Sequence, residues 1–204
     1  MEVVPELVVP FSPEDRAAVP VATHVRGTVL CSSQRALRGR GLYDAYLAQL
    51  PVPEQKVMGE ISPATWVPIE TCVTHYAACD RLRLDAALVD EIGGEMGRRV
   101  NESSLSVLVR MSREAGVTPW APLSRVNRFR EATWRGGSNA VWKVGPKEAR
   151  LEWVGMPCAA VPYFVFAFAG YVRSMLEMFC TKVYVRPIVA QSTRTFVAYR
   201  VSWA

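Results

Sequence analysis

The chain has 204 residues, 50% of them apolar and 21% charged, with a formal net charge of +5. That length and balance describe one large or two small globular domains able to bury a core without a disulfide or metal staple. No internal repeat, low-complexity segment or charge block is present, and five cysteines with no CxxC pair exclude a disulfide framework and point to a reducing compartment.

Residues 1 to 22 carry Pro5, Pro10, Pro13 and Pro20 and read as an extended lead-in. Glu2 and Glu6 stand where a secretion signal would carry Lys or Arg, so the expected location is cytoplasmic. "THVRGTVLCSS" reads as a strand from His24 to Cys31, after which Ser32 or Ser33 caps a helix, "QRALRGRGLYDAYLAQL". Gly39 and Gly41 should break or kink that helix, and Pro51 and Pro53 end it.

"SPATWVPIETCVTHYAACDRL" reads as a second helix with Pro68 in its first turn. Ile69, Cys72, Val73, Tyr76 and Cys79 form its buried stripe. A third helix covers Leu84 to Val100, with Leu88, Ile92, Met96 and Val100 every four residues. Its Gly93, Gly94 and Gly97 allow another backbone to approach closely. A fourth runs from about Glu102 to Ala115. A fifth starts near Thr118 and ends at Gly136 and Gly137.

From there the period changes from 3.6 to 2. "NAVWKVG" and "EARLEWVG" alternate around "GPKE" as a hairpin. An uncharged run from Val154 to Val172 follows. A membrane helix needs about 20 apolar residues, but Pro157 and Pro162 delay this helix, and Arg173 and Glu177 end its apolar part. The reading is a buried helix laid on a sheet. Phe164, Phe168, Tyr171 and Met175 form one stripe on it, and Val165, Ala169, Val172 and Leu176 another. Two stripes imply two packing partners. "KVYVRPIVA" and "RTFVAYRVSWA" close the chain as strands, with Pro187 suited to an edge or bulge.

The expected class is therefore α+β, a single domain over residues 23–204. About five helices (23–135) precede a β-β-α-β-β unit with an antiparallel sheet (136–204).

Chemistry is sparse. Cys72, His75 and Cys79 share a helix face, and with His24 they could hold zinc. Structural zinc sites usually bring two ligands in a short turn, so the competing reading is a buried stripe with a histidine at its edge. No GxSxG elbow or complete GxGxxG occurs, and neither Cys31 nor Cys180 has an obvious base. Asp80, Asp85, Asp90, Glu91 and Glu95 read as a solvated face. Two arginine clusters, Arg35/Arg38/Arg40 and Arg125/Arg128/Arg130, could meet phosphates, but no aromatic residues interleave to stack bases.

"VRGTVLCSSQRALRGRGLYDAYL", "WVPIETCVTHYAACDRL", "EIGGEMGRRV", "GVTPW", "GPKEARLEWVGMP", "MFCTKVYVR" and "YRVSWA" resemble a myxobacterial family, domain of unknown function 2378, over roughly residues 25 to 204. The layout also resembles, more distantly, haem–nitric-oxide-binding sensor domains and the vinyl-reductase and trafficking-particle domains. In the haem sensors a histidine on the helix before the hairpin ligates iron, and a tyrosine-x-serine-x-arginine motif grips the propionates. Aligned on Gly136 and Glu152, those positions fall on Asn127 and on Trp153, Gly155 and Pro157. None matches, and the resemblance implies a fold from which haem binding has been lost.

The functional expectation is a non-catalytic sensor or adaptor with no cofactor. It binds a small apolar ligand at Trp153, Tyr163, Phe164, Phe168, Tyr171 and Met175, or it binds a protein partner. A homodimer is expected if the final strand lies at a sheet edge and needs a cover. The alternatives are a metal-dependent enzyme or redox protein using Cys72, His75 and Cys79, and a nucleic-acid-binding accessory.

Overall fold

The alternation after Gly137 becomes the hairpin expected of it. The structure, a computed structural model, describes residues 4–101 and 117–204. Strands β5 (Ser138–Gly145) and β6 (Glu148–Val154) pair antiparallel, with Val141 opposite Leu151. The chain then crosses the sheet as helix α8 (Pro162–Leu176) and returns as β7 (Val183–Pro187) and β8 (Phe196–Trp203). A strand in the lead-in, β1 (Glu6–Val9), adds itself to β5. The sheet order is β1-β5-β6-β8-β7, antiparallel throughout.

That order corrects one expectation. The final strand β8 is not an edge; it sits between β6 and β7 with every residue from Phe196 to Trp203 in or beside a ladder. Its long apolar pattern reflects burial on two faces, and the edge argument for a second copy disappears with it. The edges are β1 and β7, and Pro187 ends β7 as a proline at an edge should.

The two faces of the sheet are covered differently. Val197, Tyr199 and Val201 join the main core under α8, and the Tyr199 hydroxyl donates to the Val165 carbonyl at 3.1 Å. On the other face Phe196 and Ala198 pack with Val19, Val154, Phe11 and Ile188. The Arg16 guanidinium lies 3.7 Å from the Phe196 ring centre. The proline-punctuated lead-in is thus a strap across the outer face.

The helical part is more finely divided than expected. His24–Arg26 is a three-residue strand, β2, and α1 begins at Gly27, so the strand expected to reach Cys31 is mostly helix. Gly27 explains the early start, because a Cβ there would sit 2.0 Å from the Ser62 carbonyl oxygen. Ser33, expected as a cap, is fully buried inside α1. The helix ends at Gly39, and after Gly41 a short α2 follows (Tyr43–Leu47).

Pro51 and Pro53 do not end structure; they start α3 (Val52–Glu60), where a proline lacking an N–H belongs. Trp66–Pro68, expected as helix, is strand β3. It pairs with β2, which pairs in turn with β4 (Trp134–Arg135), making a second, three-stranded sheet. Helix α4 (Ile69–Asp80) covers only the latter part of the expected 62–82, whereas α5 (Ala86–Asn101) follows the expected Leu84–Val100 closely. The helix expected over Glu102 to Ala115 lies outside the described residues. The next expected helix is split into α6 (Trp120–Leu123) and α7 (Val126–Thr133).

Helices α5 and α8 cross in backbone contact. A Cβ on Gly93 would lie 1.8 Å from the Ala167 carbonyl oxygen, and one on Gly170 would lie 1.8 Å from that of Asp90. Arg173 clamps the same crossing from the rim, its guanidinium 2.7 Å from Asp90 Oδ2. Helix α8 therefore has three packed rows, not two: one on the sheet, one on α5 and one on a cavity. Among the described residues no helix is long and apolar enough to cross a membrane.

Candidate functional site

A cavity of about 280 Å³ opens where α8 leaves the sheet and meets the helical part. Phe164, Ala167, Phe168 and Tyr171 supply one wall from α8, and Met96 closes it from α5. Tyr76 of α4 and Trp134 of β4 stand behind them. Thr28, Val29 and Ser32 of α1 supply another wall, and Phe129 and Thr133 of α7 another. The rings are ordered: Phe164 and Phe168 stack at 18° and 5.7 Å between centres, and Phe168 and Tyr171 at 24° and 6.0 Å. Phe129 is 38% exposed and sits 5.7 Å from Tyr171, so these two rings stand where solvent reaches the cavity.

Of the six residues expected to form a pocket, Phe164, Phe168 and Tyr171 line this cavity. Trp153, Tyr163 and Met175 are not among its lining residues. Trp153 is a backing layer, its ring 4.6 Å from Phe168 and 5.3 Å from Trp134. Tyr163 is buried one turn earlier, its ring 6.3 Å from Tyr76, while its backbone N–H donates to Asp80 Oδ1 at 2.9 Å. Met175 is half-buried beyond the cavity. The α1 wall escaped notice because a strand assignment hides the i, i+4 spacing that puts Thr28 and Ser32 on one helix face. The helical spacing of Val29, Ser33, Ala36 and Leu37 was the available signal.

The Cys72–His75–Cys79 group is inside the core. His75 is fully buried, with Nδ1 2.8 Å from the Tyr46 hydroxyl and Nε2 2.9 Å from the Ser33 hydroxyl. A neutral imidazole suits this arrangement, since one ring nitrogen donates and the other accepts. Burial lowers the His75 pKa to about 3 and raises that of Cys79 and Cys72. Cys79 Sγ lies 3.8 Å from His75 Nε2, whereas Cys72 Sγ faces away, 3.6 Å from Cys158 Sγ. His24 is on β2, paired with Pro68 and bonded to the Thr23 hydroxyl. Among the described residues no group of three His, Cys, Asp or Glu side chains is placed to hold a metal. The Ser33–His75–Tyr46 chain resembles a proton relay, but no substrate atom reaches three fully buried residues.

Structural duties absorb half of the two arginine clusters. Arg40 bonds Glu95 at 2.6 Å and Glu91 at 3.2 Å. Arg38 lies over the Tyr43 ring at 3.7 Å, and Arg130, 8% exposed, donates to the Gly136 carbonyl at 3.0 Å. Asn127 on α7 also works on the backbone. Its Nδ2 donates to the Asn139 carbonyl at 3.1 Å, and the Asn139 N–H donates to its Oδ1 at 3.0 Å. This pair of hydrogen bonds pins α7 to the first residues of β5. Asn127→Ala should therefore cost about 1–3 kcal/mol in chemical denaturation, because two backbone groups lose their partner.

The fold so assembled is the H-NOX fold. An Fe(II) unliganded H-NOX protein from K. algicida superposes with a TM-score of 0.63 at 9% identity, covering 88% of this chain and 96% of that one. An oxygen-binding H-NOX domain related to soluble guanylate cyclases, solved as its oxygen complex, gives 0.56 at 14% identity over 87% of this chain and 94% of that one. A variant of the T. tengcongensis H-NOX gives 0.52 at 16% identity, covering 87% and 97%. At these identities the likeness is one of fold. No family model matches the chain, and no curated protein matches it, so the resemblance to domain of unknown function 2378 gains nothing from those comparisons.

Proposed function

We propose that this protein is a non-catalytic sensor or adaptor module that holds a small apolar ligand in the cavity between α1, α7 and α8. The observation that carries this reading is the cavity itself. It has about 280 Å³ of space walled by ordered aromatic rings, where well-packed cores leave few voids larger than a water molecule. Its place supports a sensing role, because the lining joins the helical part to the helix that crosses the sheet. A ligand contacting Thr28 and Tyr171 together bridges the two halves, and a protein partner that reads their spacing would complete an adaptor. The H-NOX neighbours are ligand-binding proteins by their descriptions, one with oxygen bound. Membership of the myxobacterial family of unknown function, a cytoplasmic location and a homodimer belong to the same proposal.

The same reading includes the loss of haem binding. It is supported by a lining that, among the described residues, has no histidine, cysteine or arginine and offers only Tyr76, Tyr171 and Met96 as further ligand types. The chain's two histidines are His24 and His75; the first stands beside Thr23 on β2 and the second is committed to Tyr46 and Ser33. Asn127, the aligned counterpart of the iron ligand, spends both ends of its amide on Asn139. An absorbance spectrum without a Soret band is the expected result for the purified protein, and native mass spectrometry should show a bound mass of a few hundred daltons or less. A stoichiometric porphyrin, or a protein that takes up no apolar molecule, overturns the reading. Light scattering tests the partner half, a strictly monomeric protein counting against self-association.

A further inference from the structure

We propose that the cavity selects a neutral, flat molecule of about two aromatic rings carrying one hydrogen-bonding group, which Thr28 and Ser32 receive. The proposal rests on reading the cavity as a ligand site and goes on to name the chemistry of the occupant.

Size comes first. An engineered apolar cavity of about 150 Å³ takes up benzene. The space here is about 280 Å³, nearly twice that, which fits two fused rings and is far short of a tetrapyrrole. Shape comes next. Phe164, Phe168 and Tyr171 follow one another with interplanar angles of 18° and 24°, so α8 presents a nearly continuous stacked wall rather than a set of crossed edges. A planar ring lies against such a wall with offset stacking, a contact that a flexible aliphatic chain does not make.

Charge is disfavoured next. Among the described residues no Asp, Glu, Lys, Arg or His lines the cavity, so a carboxylate or ammonium carried inside would lose its hydration with no partner there in return. The aliphatic hydroxyls of the proposed anchor come from α1. Thr28 and Ser32 are four residues apart on one helix face, and neither hydroxyl has a hydrogen-bond partner among the described residues. Of the other lining hydroxyls, that of Thr133 is already spent on the Phe129 and Arg130 carbonyls, and those of Tyr76 and Tyr171 are phenols on the aromatic walls. Thr28 is exposed and Ser32 half-buried, so these two hydroxyls stand at the rim of an apolar space, where both donate and accept and can receive a phenol, a ring N–H or a carbonyl alike.

The test uses four probes of matched bulk on the purified full chain, followed by calorimetry and by quenching of the Trp134 and Trp153 emission. 2-Naphthol should bind, naphthalene should bind about tenfold more weakly for want of the hydrogen bond, and 2-naphthoate and 1-decanol should bind at least tenfold more weakly than naphthalene. The double substitution Thr28→Val with Ser32→Ala, at α1 positions that are not fully buried, should lower 2-naphthol to the affinity of naphthalene and leave naphthalene unchanged. Val29→Trp, which fills the space from the same half-exposed helix face, should abolish both. Preferred binding of 1-decanol or 2-naphthoate overturns the ligand class while leaving the cavity a ligand site. Binding of 2-naphthol that is indifferent to the α1 double substitution overturns the anchor. Failure of all four probes overturns the site reading as well.

Discussion

Gly170→Ala is expected to leave the protein unfolded or destabilised by about 3 kcal/mol or more in chemical denaturation, an overpacking cost at the high end of its usual range. The added methyl would have to sit 1.8 Å from the Asp90 carbonyl oxygen, and backbone cannot rotate aside as a side chain can. Gly93→Ala should behave alike, because its Cβ meets the Ala167 carbonyl oxygen at the same 1.8 Å from the opposite helix. Relief requires α5 and α8 to separate, and separation would also pull Met96 away from Ala167 and Phe168 at the cavity. Gly59→Ala is the control. It lies in α3 with nothing within 4 Å of its Cβ, so alanine should be neutral or stabilise by up to about 1 kcal/mol through helix propensity. Equal behaviour of Gly59→Ala and Gly170→Ala would sink the argument that the crossing is held by backbone contact.

Acid should destabilise the fold through His75. Its pKa is about 6.5 in an unfolded chain and about 3 here, lowered by burial. Between those values the unfolded state binds a proton that the folded state does not, so unfolding stability rises with pH across the window. The contribution is complete above pH 6.5 and is lost on acidification towards pH 3, at about 1.4 kcal/mol per pH unit. Model carboxylates titrate near pH 4, so the interval from 6.5 to 5 reports the histidine most cleanly. His75→Gln keeps a donor and an acceptor for Tyr46 and Ser33 but cannot titrate. It should be less stable at neutral pH and should show a flatter slope over that interval. Urea melts at half-unit steps of pH measure both, and an unchanged slope in the variant would show that some other group carries the acid response.

How much of this was legible depended on how local the cause was. The hairpin, the start of α8 at Pro162 and the stripes of α4 and α5 follow from alternation, from a proline's missing N–H and from helical spacing, all of which act within a few residues. The glycines at 93, 94 and 97 announced a close approach without saying to what. The failures share a different cause. "VRGTVLC" has the β-branched content of a strand, yet it is mostly helix because Gly27 lets the chain turn against Ser62 and a helix can then bury Leu30, Ser33 and Leu37. Tertiary packing overrides propensity there. Pro51 and Pro53 were misread because a proline that stops one helix can equally start the next.

The candidate site divides in the same way. The α8 half, Phe164, Phe168 and Tyr171, was visible because one helix apolar nearly all round must face more than one partner. Thr28, Ser32, Phe129, Thr133 and Trp134 come from segments 30 residues or more away along the chain from Phe164, and nothing in their own neighbourhoods marks them as a wall. His75 shows the limit most clearly. Its i+3 spacing from Cys72 admitted a metal site, and only the arrival of Tyr46 and Ser33 at 2.8 and 2.9 Å made it a core histidine.

By itself the sequence determined the β-β-α-β-β order of the last third, the absence of charge along α8 before Arg173 and the want of a histidine after position 75, because composition and periodicity are properties of the chain alone. The tertiary structure decided that the final strand is internal, that the lead-in straps the sheet and that an aromatic cavity remains between α1 and α8. Those outcomes depend on which surfaces meet at long range, and a linear pattern specifies which face of an element is apolar without naming the face that will cover it.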